Sequence, residues 1–531
     1  MRPHVAVYRI FELCRPVRSL SRQQKPQRYR PSQVRSCSCS ATRLAPAPNH
    51  GQKASNIPQD PQIDHRSVAI DQQLFTTSLY SPGSPLLLPN GAHVFNKLIA
   101  FLRAQYRQFG FREVITPTIY KRALWEKSGH WQNYKNDMFE VHGKGASGEN
   151  VEAEIGEDEP YGLKPMNCPG HCLLFRSQRR SWRELPVRFA DFSPLHRDEV
   201  SGSLSGLTRV RRFHQDDGHI FCRPDQILEE ISRTLQFVEM VYSTFGLGKY
   251  KLLLSTRPEE KYIGTLEEWT RAEDQLKVAL DRSGREWAIN EGDGAFYGPK
   301  IDIILQDADG KEHQTATVQL DFQLPKNFEL TYQVPISEVS RTGTNAEEIS
   351  SRTEPEPAVP VIIHRAIFGS LERFMALLIE RYNGRWPFWL SPRQVIIVTV
   401  NDSEPVLEYT EKVAQELSGT KGLVKDVDGV LIPEPLDSSS FLIDTDTRPM
   451  SLSKKIQEAK AKRYNVIVVV GPKDIAAGTV ALDVTAMPNQ EAIGPILDRL
   501  DLSSTILDRK SVKMTPSKGY RLFNEAARAY L

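Results

Sequence analysis

Apolar residues recur at helical spacing between Gly91 and Phe109, where Val94, Leu98, Phe101, Leu102 and Tyr106 fall on one face. Gly110 stops that helix, and Phe111 to Ile115 reads as a strand ending at Pro117. Much later, Val361 to Glu380 (VIIHRAIFGSLERFMALLIE) is a strand that runs into a helix through Gly369 and Ser370. After Trp386-Pro387, β and α patterns alternate. Val395 to Val400 is a β-branched strand, the region to Leu417 an amphipathic helix, Lys454 to Arg463 another helix, and Val466 to Val470 a strand. That alternation predicts a small α/β domain distinct from what precedes it. Gly143 to Pro160 and Arg341 to Pro357 break the pattern and read as surface loops.

At 531 residues the chain is too long for one core and long enough for two or three domains. Its 40% hydrophobic and 25% charged content is that of a soluble globular protein, and no apolar run approaches a membrane span; Phe374 to Ile379 is far too short. Lys plus Arg at 68 against Asp plus Glu at 66 leaves +2, which neither demands nor excludes a nucleic-acid partner. The six cysteines, Cys14, Cys37, Cys39, Cys168, Cys172 and Cys222, are too sparse for a secreted disulfide framework.

The leading segment differs from the rest. Arginines are scattered among serines and glutamines, and Glu12 is the only acid before Asp60. This is the composition of an organelle transit peptide; a basic tail that touches RNA is the alternative.

Three segments carry candidate chemistry. Arg188 to Cys222 (RFADFSPLHRDEVSGSLSGLTRVRRFHQDDGHIFC) reads as a long antiparallel hairpin around a Gly/Ser-rich turn, with Arg197, Glu199, Arg209, Arg211 and Arg212 on its arms. Guanidinium forks suit phosphate, although a solvated, salt-bridged hairpin would show the same residues. In the Gly369-Ser370 segment, glycine lets a ligand approach the backbone and the helix start favours anions, with Arg373 in the first turns. The third is metal-like: Cys168, His171 and Cys172 lie within five residues, with His219 and His364 far along the chain. A local cluster and a three-ligand site with an open fourth position both remain possible on spacing alone, as do ordinary core cysteines and histidines.

Occurring together in this order, the helix and strand ending at Pro117, the arginine hairpin and the Gly-Ser-Leu-Glu-Arg helix resemble motifs 1, 2 and 3 of class II aminoacyl-tRNA synthetases. Within that class, LKPMNCPGH, SGSLSGLTRVRRFHQDDGHIF, LSTRPEE, GAFYGPKID, TVQLDF and IIHRAIFGSLERF resemble threonyl-tRNA synthetases, from about Asp64 to the C-terminal domain. The resemblance implies an α+β fold. Residues 1–63 would be a mitochondrial transit peptide, 64–388 a class II catalytic domain on an antiparallel sheet, and 389–531 an α/β anticodon-binding domain. It implies Zn²⁺, one per subunit, on Cys168, His219 and His364, with His171 and Cys172 outside the ligand set. Catalytic roles fall to Arg197, Arg373 and His130. Glu199, Arg209, Phe213 and Gln319 join the two arginines around ATP, and Met166, Gln215, Asp217, Tyr297, Lys300 and Thr317 line the substrate pocket. The implied activity is threonine–tRNA ligation: L-threonine is activated with ATP and Mg²⁺ and transferred to tRNA(Thr), in a homodimer of the mitochondrial matrix with no membrane contact. A synthetase for proline or serine is disfavoured by the Cys168/His219/His364 set. A catalytically dead paralogue is disfavoured by the presence of Arg197 and Arg373.

The sequence also departs from the family. Arg212 stands where glycine is usual, the Gly143 to Pro160 loop is long, Gly429 to Asp446 is divergent, and Ala481 to Gln490 carries little charge where a basic stretch is usual. The segment before the catalytic region is only some sixty residues long, of basic, low-complexity composition and too short to fold a hydrolytic editing domain, so uncorrected seryl-tRNA is expected.

Overall fold

A computed structural model describes residues 63–142, 160–260, 262–306, 312–334, 356–435, 439–502, 506–507 and 511–531. The transit-peptide expectation, the Gly143 loop up to residue 159 and the second loop up to residue 355 lie outside these residues. The second loop's last residues are not loop: Glu356–Ala358 pairs antiparallel with Tyr332–Val334.

Helix α1 (His65–Gln72) is capped by Asp64, whose carboxylate accepts the Arg66 amide. Helix α2 (Pro89–Gln108) opens on Pro89, which lacks the amide that a first turn would leave unpaired, and buries the predicted stripe of Val94, Leu98, Phe101, Leu102 and Tyr106. Gly110 takes φ +81° and turns the chain into β1 (Arg112–Glu113). This strand is shorter than Phe111 to Ile115. Beyond Glu113 one backbone–backbone bond to the neighbouring strand remains, from the Val114 amide to the Ala190 carbonyl, and Ile115 turns outward at 83% exposure.

Helix α3 (Cys168–Arg176) follows, then β2 (Val187–Asp191) and β3 (Pro194–His196), β4 (Arg212–His214) and β5 (Asp217–Cys222). The predicted hairpin forms in two tiers. β2 pairs antiparallel with β5, while β3 and β4 form a separate ribbon above them. Next come α4 (Ile227–Thr244), β6 (Tyr250–Ser255), α5 (Leu266–Arg282), β7 (Trp287–Asn290), β8 (Lys300–Gln306), β9 (Glu312–Asp321), β10 (Val361–Ala366) and α6 (Leu371–Tyr382). The sheet order is β7-β6-β8-β9-β10-β5-β2-β1, antiparallel except for its two edge pairs.

Strand periodicity decides what each face carries. His219 and His364 are direct cross-strand partners on β5 and β10, and Gln319 on β9 is the partner of His364. Asp217, Ala366, Thr317 and Asp321 are offset by two residues and share that face. The intervening residues, Ile220, Ile363, Val318 and Leu320, are fully buried on the other side in the core with α2 and α4.

From β10 the chain enters α6 through Gly369 and Ser370, as expected. Ser370 caps the helix by accepting the Arg373 amide. After Trp386 a second sheet forms from β11 (Val395–Thr399), β12 (Ile443–Asp446), β13 (Val466–Val470), β14 (Val480–Asp483), β15 (Ile506–Leu507) and β16 (Ser511–Met514). Its order is β12-β11-β13-β14-β16-β15, with β11, β12 and β13 parallel. Its longer helices are α7 (Glu404–Ser418), α8 (Leu452–Ala461), α9 (Gln490–Arg499) and α10 (Pro516–Arg528), with a short turn of helix at Pro472–Ala477. Its valine-rich central strands are buried on both faces, hence the continuous apolar runs in the sequence.

Gly369 takes φ +67°, and a Cβ there would stand 2.4 Å from the Thr315 carbonyl oxygen. Gly369→Ala therefore combines left-handed strain with a backbone collision and should destabilise the first domain by about 2 kcal/mol. Gly494→Ala, with nothing within 4 Å, is the control. Thermal melts that leave Gly369→Ala level with that control would show that the turn relaxes freely.

Candidate active site

A cavity of about 310 Å³ opens over the polar face of the first sheet, bounded by the β3–β4 ribbon and the start of α6. At its floor, Cys168, His219 and His364 are buried, and each offers a ligand atom within 4.8 Å of the others. Cys168 arrives as the first residue of α3, and the two histidines from paired strands. His364 Nε2 lies 2.9 Å from the Asp321 carboxylate. With its Nε2 proton given to Asp321, the ring keeps the Nδ1 lone pair, which faces His219 Nε2 at 2.8 Å. Two ring nitrogens at that distance must share either a proton or a cation. Burial pushes the Cys168 thiol well up and the His219 imidazole well down, so a cation there would have to hold the thiolate. Two nitrogens and one sulfur, with space above them, fit a zinc ion with one open position. His171 and Cys172 stay out of the set. His171 Nδ1 instead meets His219 Nδ1 at 2.8 Å, and Cys172 packs in a hydrophobic cluster.

The opposite wall is cationic. Arg197, Arg209 and Arg373 all reach the cavity, with Glu199 beside them. Glu199 pairs with Arg209 at 2.8 Å, which leaves two guanidinium groups without a carboxylate partner among the described residues. Arg197 Nε is buried without a hydrogen bond, and its guanidinium lies 5.1 Å over the Phe213 ring. Burial first, and then repulsion from Arg197 and Arg209, lowers the Arg373 pKa. Like charges crowded into a half-buried site are stabilised by an anionic ligand, and phosphate matches their geometry.

Between the Cys168/His219/His364 triad and the arginines, Met166, Gln215, Asp217, Tyr297, Thr317 and Gln319 line the wall. Tyr297 donates to Gln319 Oε1 at 2.6 Å, and Asn167 donates to Asp217 at 3.1 Å. Two predicted residues are placed elsewhere. Lys300 is off the cavity wall, ion-paired with Asp293 at 3.1 Å and Asp302 at 3.0 Å. His130 is fully buried beside Cys168: Nδ1 lies 2.8 Å from Ser128 Oγ, Nε2 lies 3.7 Å from Cys168 Sγ, and burial depresses its pKa to about 4.

Several positioning residues escaped the sequence reading. Asp216, pushed up to about 7 by burial, accepts from Tyr106, from the Ile367 amide at 2.8 Å and from the Phe368 amide at 3.0 Å. It thereby ties α2, β5 and the turn into α6 together. Glu372 accepts the His214 amide at 2.9 Å and faces the His214 ring at 2.9 Å, fixing the ribbon to α6. Only a carboxylate beside each motif could have hinted at these; their partners are remote in sequence.

The profile of the tRNA synthetase class II core domain (G, H, P, S and T) matches residues 151–382, and that of the anticodon binding domain matches residues 394–495. A probable mitochondrial threonine–tRNA ligase of Schizosaccharomyces pombe is 51% identical over 435 residues, covering 82% of this chain and 87% of that one. The human cytoplasmic threonine–tRNA ligase 1 is 49% identical over 78% of this chain, which spans 50% of the human protein's length. In three dimensions, a Cryptosporidium parvum structure described as the RNA binding domain of threonyl-tRNA synthetase aligns with a TM-score of 0.70 at 40% identity, covering 87% of this chain and 98% of that one. A fold, a site and a half-identical relative matched over most of its length agree, and the chain belongs to the threonine–tRNA ligase family of class II tRNA synthetases.

Proposed function

We propose that this cavity activates L-threonine with ATP and transfers it to tRNA(Thr) for translation in the mitochondrial matrix. The observation that carries this reading is the juxtaposition, in one cavity, of the Cys168/His219/His364 triad and the uncompensated arginines Arg197 and Arg373. A threonine carboxylate oxygen attacks the α-phosphorus of ATP, and pyrophosphate leaves with its magnesium. Arg197 holds the α-phosphate and carboxylate, Arg373 the γ-phosphate, and Phe213 and Glu199 the adenine, with Arg209 and Gln319 beside them. The 3′-terminal ribose hydroxyl of tRNA then attacks the carbonyl carbon, and AMP departs. Positioning and charge stabilisation account for this chemistry without covalent help from the protein.

Zinc bound at the triad would supply a Lewis-acid position for the threonine amine and hydroxyl. Asp217 and Tyr297 flank the amine; Met166, Gln215 and Thr317 shape the rest of the pocket. Asp321 and His171 orient the histidines. Valine, lacking a hydroxyl, leaves that position unfilled, whereas an apolar pocket alone would reject such an isostere by only ~10²-fold. Lys300 and His130 act through their neighbours: Lys300 by ordering Asp302, His130 by packing against Cys168.

Two organisational proposals accompany this. The boundary between catalytic and anticodon-binding domains falls near residues 388 and 389; the matches to the two family profiles, which end at 382 and begin at 394, support this reading. The chain works as a homodimer through the surface near Pro117, where Ile115, Ile119 and Leu173 are exposed.

Pyrophosphate exchange tested with each amino acid in turn should be strong with threonine, detectable with serine and absent with valine. Arg197→Ala and Arg373→Ala should each reduce it by about 3 kcal/mol of transition-state stabilisation. Proline as the preferred substrate, or full exchange in either variant, would overturn the assignment.

Purified protein should carry one zinc per subunit. Cys168→Ser, His219→Ala and His364→Ala should lose it, and Cys172→Ser should keep it. Asp321→Asn should weaken binding by about 10- to 100-fold. Metal retained in His364→Ala but lost in Cys172→Ser would move the site to the local cluster.

Matrix localisation is supported by the acid-poor leader and by mitochondrial relatives of Schizosaccharomyces pombe and Saccharomyces cerevisiae. Residues 1–60 fused to a reporter should carry it into the matrix; a wholly cytosolic reporter would favour an RNA-binding tail.

A further inference from the structure

We propose that His65 is a positioning residue for the nucleotide side of the active site, holding the loop that brings Thr208 and Arg209 to the cavity wall. The proposal rests on the reading that Arg209 and Arg373 face ATP. Asp64, His65 and Glu380 come within 4.8 Å of one another, a grouping that resembles a cation site. The hydrogen bonds argue otherwise. His65 Nε2 accepts the Leu207 amide at 3.2 Å, and Nδ1 lies 2.8 Å from Glu380 Oε1. Accepting from an amide requires a lone pair on Nε2, so the proton sits on Nδ1 and is donated to Glu380. Neither nitrogen is left for a metal.

The same helix, α6, fixes the next residue of the loop: Arg373 Nε donates to the Thr208 carbonyl at 3.1 Å. Leu207 is thus held by its amide and Thr208 by its carbonyl, on two side chains that both answer to α6. His65 is 4% exposed and its ring touches the loop closely, since a Cβ on Gly206 would stand 2.2 Å from Nε2. The far end of α1 is equally fixed. Gln72 donates to the Gly384 carbonyl and accepts from Trp386 Nε1, both at 2.7 Å. His65 therefore projects from a post that cannot follow the loop if the loop moves.

The test uses the full-length protein and two readouts. In His65→Leu, amide exchange at Leu207 should quicken at least ten-fold, and KM for ATP should rise about ten-fold while KM for threonine and bound metal stay unchanged. His65→Gln, whose amide oxygen can reach the Nε2 position, should restore both readouts. His65→Asn, which is polar but too short, should not, and serves if the leucine variant misfolds. Glu380→Gln should stay near wild type because its amide oxygen still accepts. Unchanged Leu207 exchange in both His65→Leu and His65→Asn would overturn the proposal, as would a parallel rise in both KM values. Wild-type protein without any exchange activity would instead remove the ATP reading, while the Leu207 amide still reports whether His65 holds the loop.

Discussion

The site depends on one register. Cα pairing of His219 with His364 puts both imidazoles on the same face of the sheet, above the same cavity. Side chains alternate with a period of two, so a slip of one residue between β5 and β10 would bury one histidine on the helix side. It would also carry Asp217 out of the pocket. Asp216 guards against this slip. Its carboxylate is fully buried and caps the amides of Ile367 and Phe368, just beyond the end of β10, so β5 and β10 are pinned at their shared end. An unsatisfied buried carboxylate costs several kcal/mol, far more than the fractions of one by which alternative strand pairings differ.

The arginine wall has the opposite character, being held by the protein in an unfavourable state. Burial and mutual repulsion both work against Arg373, and among the described residues Glu199 offsets the cluster, through Arg209. Such strain is tolerated because the scaffold around it is over-determined: Ser370 and Glu372 fix the start of α6, and Thr208 accepts from Arg373 itself. A site already arranged for negative charge needs little reorganisation when that charge arrives, which is where preorganised catalysis gains.

Periodicity made most of the fold legible. The α2 stripe, the strand into α6, and the alternating second domain all appear where apolar spacing placed them, because each buries one face or both against a core. Edges were less legible. β1 has two paired residues, since a strand at the rim gains bonds on one side only, and nothing in its residues says where pairing stops. Of the site, the triad and the arginines were readable through motif resemblance, whereas spacing alone left the local Cys-Pro-Gly-His-Cys cluster open. The resemblance assigned Lys300 to substrate binding and His130 to catalysis; neither lines the cavity, Lys300 pairing with Asp293 and Asp302 and His130 meeting Ser128 and Cys168, contacts that residue identity in a motif does not record. Asp216, Asp321 and His65 could not be read at all. Each acts on a partner tens to hundreds of residues distant, which only the folded chain identifies.

The reverse face of β10 shows the same alternation at work on a charge. Arg365 is paired in register with Gly218 and points away from the cavity, 2% exposed. Its guanidinium lies 3.9 Å over Phe111, 4.4 Å over Tyr106 and 4.8 Å over Phe237, and its three nitrogens have no hydrogen-bond partner among the described residues. A desolvated cation–π contact contributes about 2 kcal/mol, while burying an ion costs several, so the rings offset much of the burial but need help. Asp216 and Glu230 provide it through their fields, favouring the charged form against desolvation. Glycine at 218 follows directly: a Cβ there would meet Phe111 at 3.1 Å and Arg365 at 3.3 Å, closing the space that the guanidinium occupies. The cation thus locks α2, α4 and β5 around the strand that carries His364. The residue that secures His364 from behind is its own neighbour in the chain.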